Sequence, residues 1–187
     1  HILGLLLDYK NSELCKTLKE AQAERDLRNV KMADNLGKAG IDITLDKIRA
    51  EEGNAVITRA HFAKYLVKHG YSKTLRDAFI NYLSSDGPYY VPRKYMSPEQ
   101  AIDLIKTAGG VPVLAHPLLY KLDKQELDQL ICNLKEAGLM GIETFYSLNM
   151  NYDESDIRKL ANKYDLFMTG GSDFHGSVKP LIKLGTG

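Results

Sequence analysis

Leu166-Phe167-Met168-Thr169-Gly170-Gly171-Ser172-Asp173-Phe174-His175-Gly176 is the stretch from which the fold of this chain is best read. An apolar run of strand length meets two glycines and then delivers a carboxylate and an imidazole two residues apart. In extended backbone, residues i and i+2 point to one face, so Asp173 and His175 are expected to converge at the strand's end. That pair suits metal ligation, and the glycines let backbone N–H groups approach an anion beside the cation. A lone Asp-x-His equally suits a turn that caps the next element. A second motif of the same build decides for ligation.

That motif is Gly109-Gly110-Val111-Pro112-Val113-Leu114-Ala115-His116-Pro117, another apolar run that ends on an imidazole and a proline. Between the two lies a third strand, Gly141-Ile142-Glu143-Thr144-Phe145-Tyr146. Helix signals alternate with these strands. Ser97-Pro98-Glu99-Gln100 is a capping box with proline at the first helical position, and Asp123-Lys124-Gln125-Glu126 is another, opening a helix through Glu136 that stops at Gly138. A further helix is expected from about Glu154 to Tyr164, ahead of the Asp-x-His strand. Strands and helices in this order predict an α/β layer whose parallel strands carry their chemistry at the carboxyl ends.

Upstream the pattern differs. A first strand is expected over His1 to Asp8, and residues of about 10 to 90 read as helical throughout. Asn11 or Ser12 caps a long helix on which Leu14, Leu18, Ala21, Leu27, Val30 and Leu36 keep roughly helical spacing, closed by Gly37 and Gly40. Thr44, Thr58 and Ser72 or Thr74 open three shorter helices, and Ser84 to Pro88 is a turn cluster.

With 187 residues, 44% of them hydrophobic, the chain can bury a sizeable core. Lys+Arg 25 against Asp+Glu 24 leaves a net charge of +1 with no basic block, which argues against a duplex-DNA binder. The longest aliphatic run, Ile2 to Leu7, is far short of a membrane span of about 20 residues. There is no signal-peptide pattern, so the cytoplasm is the expected compartment. Cys15 and Cys132 lie far apart in helical patterns and read as two reduced, packed thiols.

Ala115-His116-Pro117, Gly141-Ile142-Glu143, Gly171 to Gly176 and Lys179-Pro180, together with His1 to Gly4 and Ile57 to Ala63, resemble the later motifs of the PHP (polymerase and histidinol phosphatase) superfamily. The match is nearest its TrpH-like branch of metal-dependent phosphoesterases. The resemblance implies a partial, distorted (β/α)7 PHP-type barrel with an inserted all-helical lobe: residues 1–9 a barrel strand, 10–90 the lobe, 91–187 the C-terminal part of the barrel. It implies two or three divalent metal ions, Mn, Zn or Fe. Asp173 would bind one, His1 and His116 a second, and His175 a third. Family members begin with a His-x-His strand that these residues lack, so the chain is expected to be the C-terminal part of a longer enzyme and inactive alone. Glu143 is expected to support the site rather than ligate, because the family's bridging glutamate belongs to an earlier motif.

The chemistry expected is hydrolysis of a phosphate monoester, nucleotide or short oligonucleotide by a metal-activated water. For substrate contacts the candidates are Arg59 and His61 at the start of the helix opened by Thr58, then Arg93 and Lys179. His61 lies off the apolar side formed by Phe62, Ala63, Leu66 and Val67. The alternatives are a non-catalytic fragment that binds a phosphate-bearing ligand or a partner, and a histidinol-phosphate phosphatase-like enzyme. An unpaired strand edge would also favour a homodimer.

Overall fold

In the computed structural model, described for residues 1–187 except Asn54, Lys94, Met150, Ser177, Val178, Gly187 and the side chains of Asn151 and Tyr152, the chain divides into two compact units. One comprises His1–Cys15 and Met96–Gly187, the other Lys16–Tyr95.

The first unit is built on a four-stranded sheet in the order β1 (Ile2–Leu5), β2 (Val111–Leu114), β3 (Gly141–Tyr146), β4 (Phe167–Gly171). The pairs β2–β3 and β3–β4 are parallel, as the strand-helix alternation predicts, whereas β1 runs antiparallel to β2. The expected first strand, His1 to Asp8, is thus shorter and reversed relative to its neighbours; it ends where Leu6 takes a positive φ of 55°. Reversal has a consequence for the site. With Ile2 opposite Leu114, the amino end of β1 lies beside the carboxyl end of β2.

Of the seven α-helices described, three belong wholly to this unit: α5 (Pro98–Thr107), α6 (Lys124–Glu136) and α7 (Asn151–Lys163). Their openings follow the local signals. Ser97 accepts from Gln100 N–H at 3.2 Å while the Gln100 side chain accepts from Ser97 N–H at 3.0 Å, and Asp123 and Glu126 make the same reciprocal pair for α6. Ile102, Leu114, Ile131, Leu134, Ile142 and Ile157 fill the core between sheet and helices. Because the Ser97 hydroxyl satisfies an otherwise unpaired N–H of α5, Ser97→Ala is expected to lower stability by about 1 kcal/mol. A urea titration checks this, and an unchanged midpoint contradicts it.

The second unit holds most of α1 (Ser12–Lys38), then α2 (Leu45–Glu52), α3 (Arg59–Lys68) and α4 (Leu75–Asn81). Thr44 and Thr74 cap their helices through their hydroxyls, at 3.2 Å and 3.1 Å. Met32, Leu36, Ile48, Ile57, Phe62 and Leu66 form its core. The apolar spacing expected along α1 needs correction, since Leu18, Leu27 and Val30 are exposed and the buried face is set by Asn29, Met32, Ala33 and Leu36. Both cysteines are free, and no described helix is long and apolar enough to cross a membrane.

Candidate active site

At the carboxyl end of β2 the chain leaves the sheet through His116, whose φ of 32° lies in the left-handed region, and enters a 3₁₀ turn, Pro117–Tyr120. The antiparallel β1 brings His1 to the same place: Ala115 N–H donates to the His1 carbonyl at 3.1 Å, and His1 Nδ1 stands 3.0 Å from His116 Nε2. The His116 N–H is taken by Glu143 Oε2 at 2.7 Å. Its other ring nitrogen, Nδ1, is buried without a protein partner. The Tyr120 hydroxyl donates to the Ala115 carbonyl at 2.9 Å and so ties the 3₁₀ turn back to the strand end. Burial first, and the Glu143 charge second, push that phenol up to about 12.

Beyond β4, Asp173 and His175 do come together, but by another route than strand alternation. β4 ends at Gly171 and Asp173 has a positive φ of 51°, so the segment is not extended. The turn folds His175 back, with Nδ1 at 2.7 Å from the Asp173 carbonyl and 3.4 Å from Oδ1. Asp173 Oδ2 accepts from the Tyr146 hydroxyl at 3.0 Å and from the Lys179 ammonium. Burial alone would raise this carboxyl, yet the hydrogen bonds from Lys179 and Tyr146 outweigh it and hold Asp173 below the ordinary range.

Glu143 and Tyr146 join the two pairs. Glu143 is buried, and its pKa is raised by desolvation and by the Asp173 charge against the opposing pull of the His116 N–H. A Cβ at Gly171 would lie 2.1 Å from Glu143 Oε1, so the glycine is what lets the carboxylate occupy this place. The Tyr146 ring centre is 5.9 Å from that of His116. Composition and spacing pointed to neither tyrosine.

Imidazole and carboxylate donors suit Zn, Mn or Fe. Two nitrogens held by one ion at about 2.0–2.1 Å sit roughly 3 Å apart, which the His1–His116 separation of 3.0 Å matches. The unpartnered His116 Nδ1 is a second open donor, and the Lys179 ammonium already stands as a cation against Asp173. Among the described residues these donors form two pairs; no three His, Cys, Asp or Glu side chains are grouped to enclose one ion.

In the helical unit, Arg59 donates to the Leu83 carbonyl at 3.2 Å and lies over the Tyr90 ring at 5.4 Å, while Arg93 lies over Tyr95 at 4.5 Å. Arg28 shares their field: burial first, then Arg93 and Arg59, lower its pKa, and its Nε is buried without a partner. A groove of about 190 Å³ is lined by Arg28, Lys31 and Arg93 together with Glu24, Val91 and Pro92. His61 has a different place from the one its helix position suggested. Its Nδ1 accepts from Thr58 N–H at 2.9 Å, and its Nε2 faces Glu52 at 3.7 Å, so the ring caps α3.

No family model matches the chain. It is 33% identical over 185 residues to the 5'-3' exoribonuclease Rnm of Escherichia coli, covering 99% of this chain and 63% of that protein. It is 34% identical over 176 residues to the 3',5'-nucleoside bisphosphate phosphatase of Chromobacterium violaceum, covering 94% and 62%. The chain thus spans less than two thirds of the length of these relatives. Among solved structures, a Bifidobacterium adolescentis protein described as a metal-dependent phosphoesterase superposes with a TM-score of 0.81 at 33% identity, covering 99% of this chain and 65% of that one. A Chromobacterium violaceum amidohydrolase holding sulfate and no metal superposes with a TM-score of 0.81 at 34% identity, covering 95% and 63%. With its His116, Glu143, Asp173 and His175 motifs gathered at one end of an α/β sheet, the chain is similar in sequence and in fold to phosphoesterases, in keeping with its resemblance to the PHP superfamily.

Proposed function

We propose that the protein containing this chain is a metal-dependent phosphoesterase that hydrolyses a terminal phosphate ester on a nucleotide or short oligonucleotide. The observation that carries this reading is the meeting of two donor pairs, His1 with His116 and Asp173 with His175, at one end of one sheet, bridged by Glu143 and Tyr146. The names of the relatives, an exoribonuclease and a bisphosphate phosphatase, both denote hydrolysis of a phosphate ester, a diester in the first and a terminal monoester in the second. The fold that accompanies this reading is part of a distorted (β/α)7 barrel with the helical unit as its insertion. The outer strands β1 and β4 offer the edges through which a second copy would pair.

His1, His116, Asp173 and His175 would hold divalent metal, with Mn, Zn and Fe all suited to these donors. Bound metal supplies Lewis acidity and a hydroxide at neutral pH. The chain's own residues do the rest. Glu143 fixes the backbone of His116 and so the direction of its ring. Lys179, bonded to Asp173, would share its positive charge with a phosphoryl oxygen. Arg59 and Arg93 present guanidinium groups suited to phosphate, with Tyr90 and Tyr95 beneath them. His61 is occupied in capping α3, so the anion contacts of that unit fall to the arginines.

The direct test is hydrolysis of p-nitrophenyl phosphate and of a nucleoside 3',5'-bisphosphate by the natural protein with added Mn²⁺, against an Asp173→Asn control. Turnover that does not depend on metal, or that persists in the control, removes the reading. The arginine cluster has its own test. Sulfate at about ten times its dissociation constant should stabilise the protein by about 1.4 kcal/mol, and Arg93→Ala should remove most of that increment in a thermal unfolding scan. An undiminished increment would detach Arg93 from anion binding.

A further inference from the structure

β3 carries Glu143 and Tyr146 to the same place although they are three residues apart. In a regular strand such residues project to opposite faces, because side chains alternate with a period of two. The ladder to β4 is not regular here: Glu143 pairs with Thr169, but Phe145 pairs with Gly170, which leaves Thr144 as one residue in excess. A bulge of this kind reverses the alternation beyond it and re-aims the side chains that follow. Phe145, which regular alternation would set beside Glu143, instead lies against the Arg158 guanidinium of α7 at 4.6 Å. Tyr146 takes the face it vacates. The residue is 5% exposed, its ring centre is 5.9 Å from that of His116, and its hydroxyl reaches Asp173 Oδ2 at 3.0 Å.

We infer that the bulge at Thr144 exists to make Tyr146 the positioning residue of Asp173. The phenol holds one carboxylate oxygen from the side of His116, while Lys179 meets the same oxygen and His175 lies near the other. A carboxylate braced in this way keeps one rotamer, and groups that orient a ligand carboxylate set its affinity for metal. Burial and the Asp173 hydrogen bond push the phenol up to about 12, so it stays a donor at neutral pH. This inference rests on the metal-dependent reading given under Proposed function, in which Tyr146 only bridges the two pairs, and it gives that tyrosine a positioning role.

Tyr146→Phe removes one hydroxyl and keeps the buried ring. In the natural protein the variant is expected to bind Mn²⁺ about 10- to 100-fold more weakly by titration calorimetry. Turnover of p-nitrophenyl phosphate should fall at limiting Mn²⁺ and return as Mn²⁺ is raised, with KM for the ester unchanged. A packing role would not give metal rescue. Equal Mn²⁺ affinity in parent and variant overturns the inference. A metal-free readout separates it from the reading beneath it: the ¹³C resonance of the Asp173 carboxylate should shift in Tyr146→Phe. If the parent takes up no metal, the phosphoesterase reading falls while an unshifted resonance is still what overturns the role of Tyr146.

Discussion

Gly171→Ala is expected to destabilise the first unit by about 2–4 kcal/mol, combining the cost of overpacking a filled site with that of leaving buried polar groups unpaired. The added methyl carbon would stand 2.1 Å from Glu143 Oε1 and 3.2 Å from its Cδ, so the carboxylate must leave. A free surface glutamate would swing away at little cost. Glu143 is 5% exposed and its other oxygen holds the His116 N–H at 2.7 Å, so its departure strands a buried carboxylate and a buried donor together. The effect belongs to a pair of residues, which makes it separable from simple crowding. Glu143→Ala alone should also destabilise, by about 1–3 kcal/mol, because the His116 N–H loses its acceptor. In Gly171→Ala/Glu143→Ala the new methyl enters space that the carboxylate has vacated, and the double variant should be more stable than the sum of the singles predicts. Urea unfolding of the four proteins reads the cycle. Strict additivity would mean that the two positions do not compete for one volume.

The same contact shows what was and was not readable in advance. Local signals were: Thr44, Thr74, Ser97 and Asp123 sit at helix starts because each satisfies an N–H within three residues, a relation that spacing alone expresses. The parallel β2–β3–β4 ladder was legible too, since buried strands and amphipathic crossovers alternate in sequence. Relations that depend on a partner distant in sequence were not. The exposed Leu18, Leu27 and Val30 on α1 keep helical spacing, but which face is buried is decided by what packs on it. His61 looked free on a helix wheel, although Thr58 N–H claims its ring. At the site, the motif positions were readable while their geometry was not. Asp173 and His175 meet through a left-handed turn rather than through strand alternation, and His1 reaches His116 because β1 runs backward. Tyr146 was hidden by a single extra residue, since a bulge leaves no periodic trace in six residues of strand.

Asp173→Asn should have the largest effect on turnover. The substitution keeps the shape and one acceptor oxygen but removes the charge on which Tyr146 and Lys179 converge. A Lewis-acid contribution of several kcal/mol, at about 1.4 kcal/mol per decade, corresponds to a loss of roughly 10²–10³-fold when a charged ligand is neutralised. Stability should respond with a definite sign in pH. Asp173 titrates below its ordinary value of about 3.9 in the folded protein, so its contribution is present above that value and disappears as pH falls through the lower, folded one. Glu143 behaves oppositely: burial raises its folded pKa, the fold favours its protonated form, and stability is gained as pH falls through that raised value toward the unfolded one. Two carboxylates facing one site therefore pull in opposite directions on acidification. Thermal unfolding of the parent and Asp173→Asn should differ at pH 7 and converge in strong acid, where Asp173 is protonated in both folded and unfolded chains. A gap that stays constant across that range would show that the charge of Asp173 contributes nothing to the fold, and that its partners hold it by shape alone.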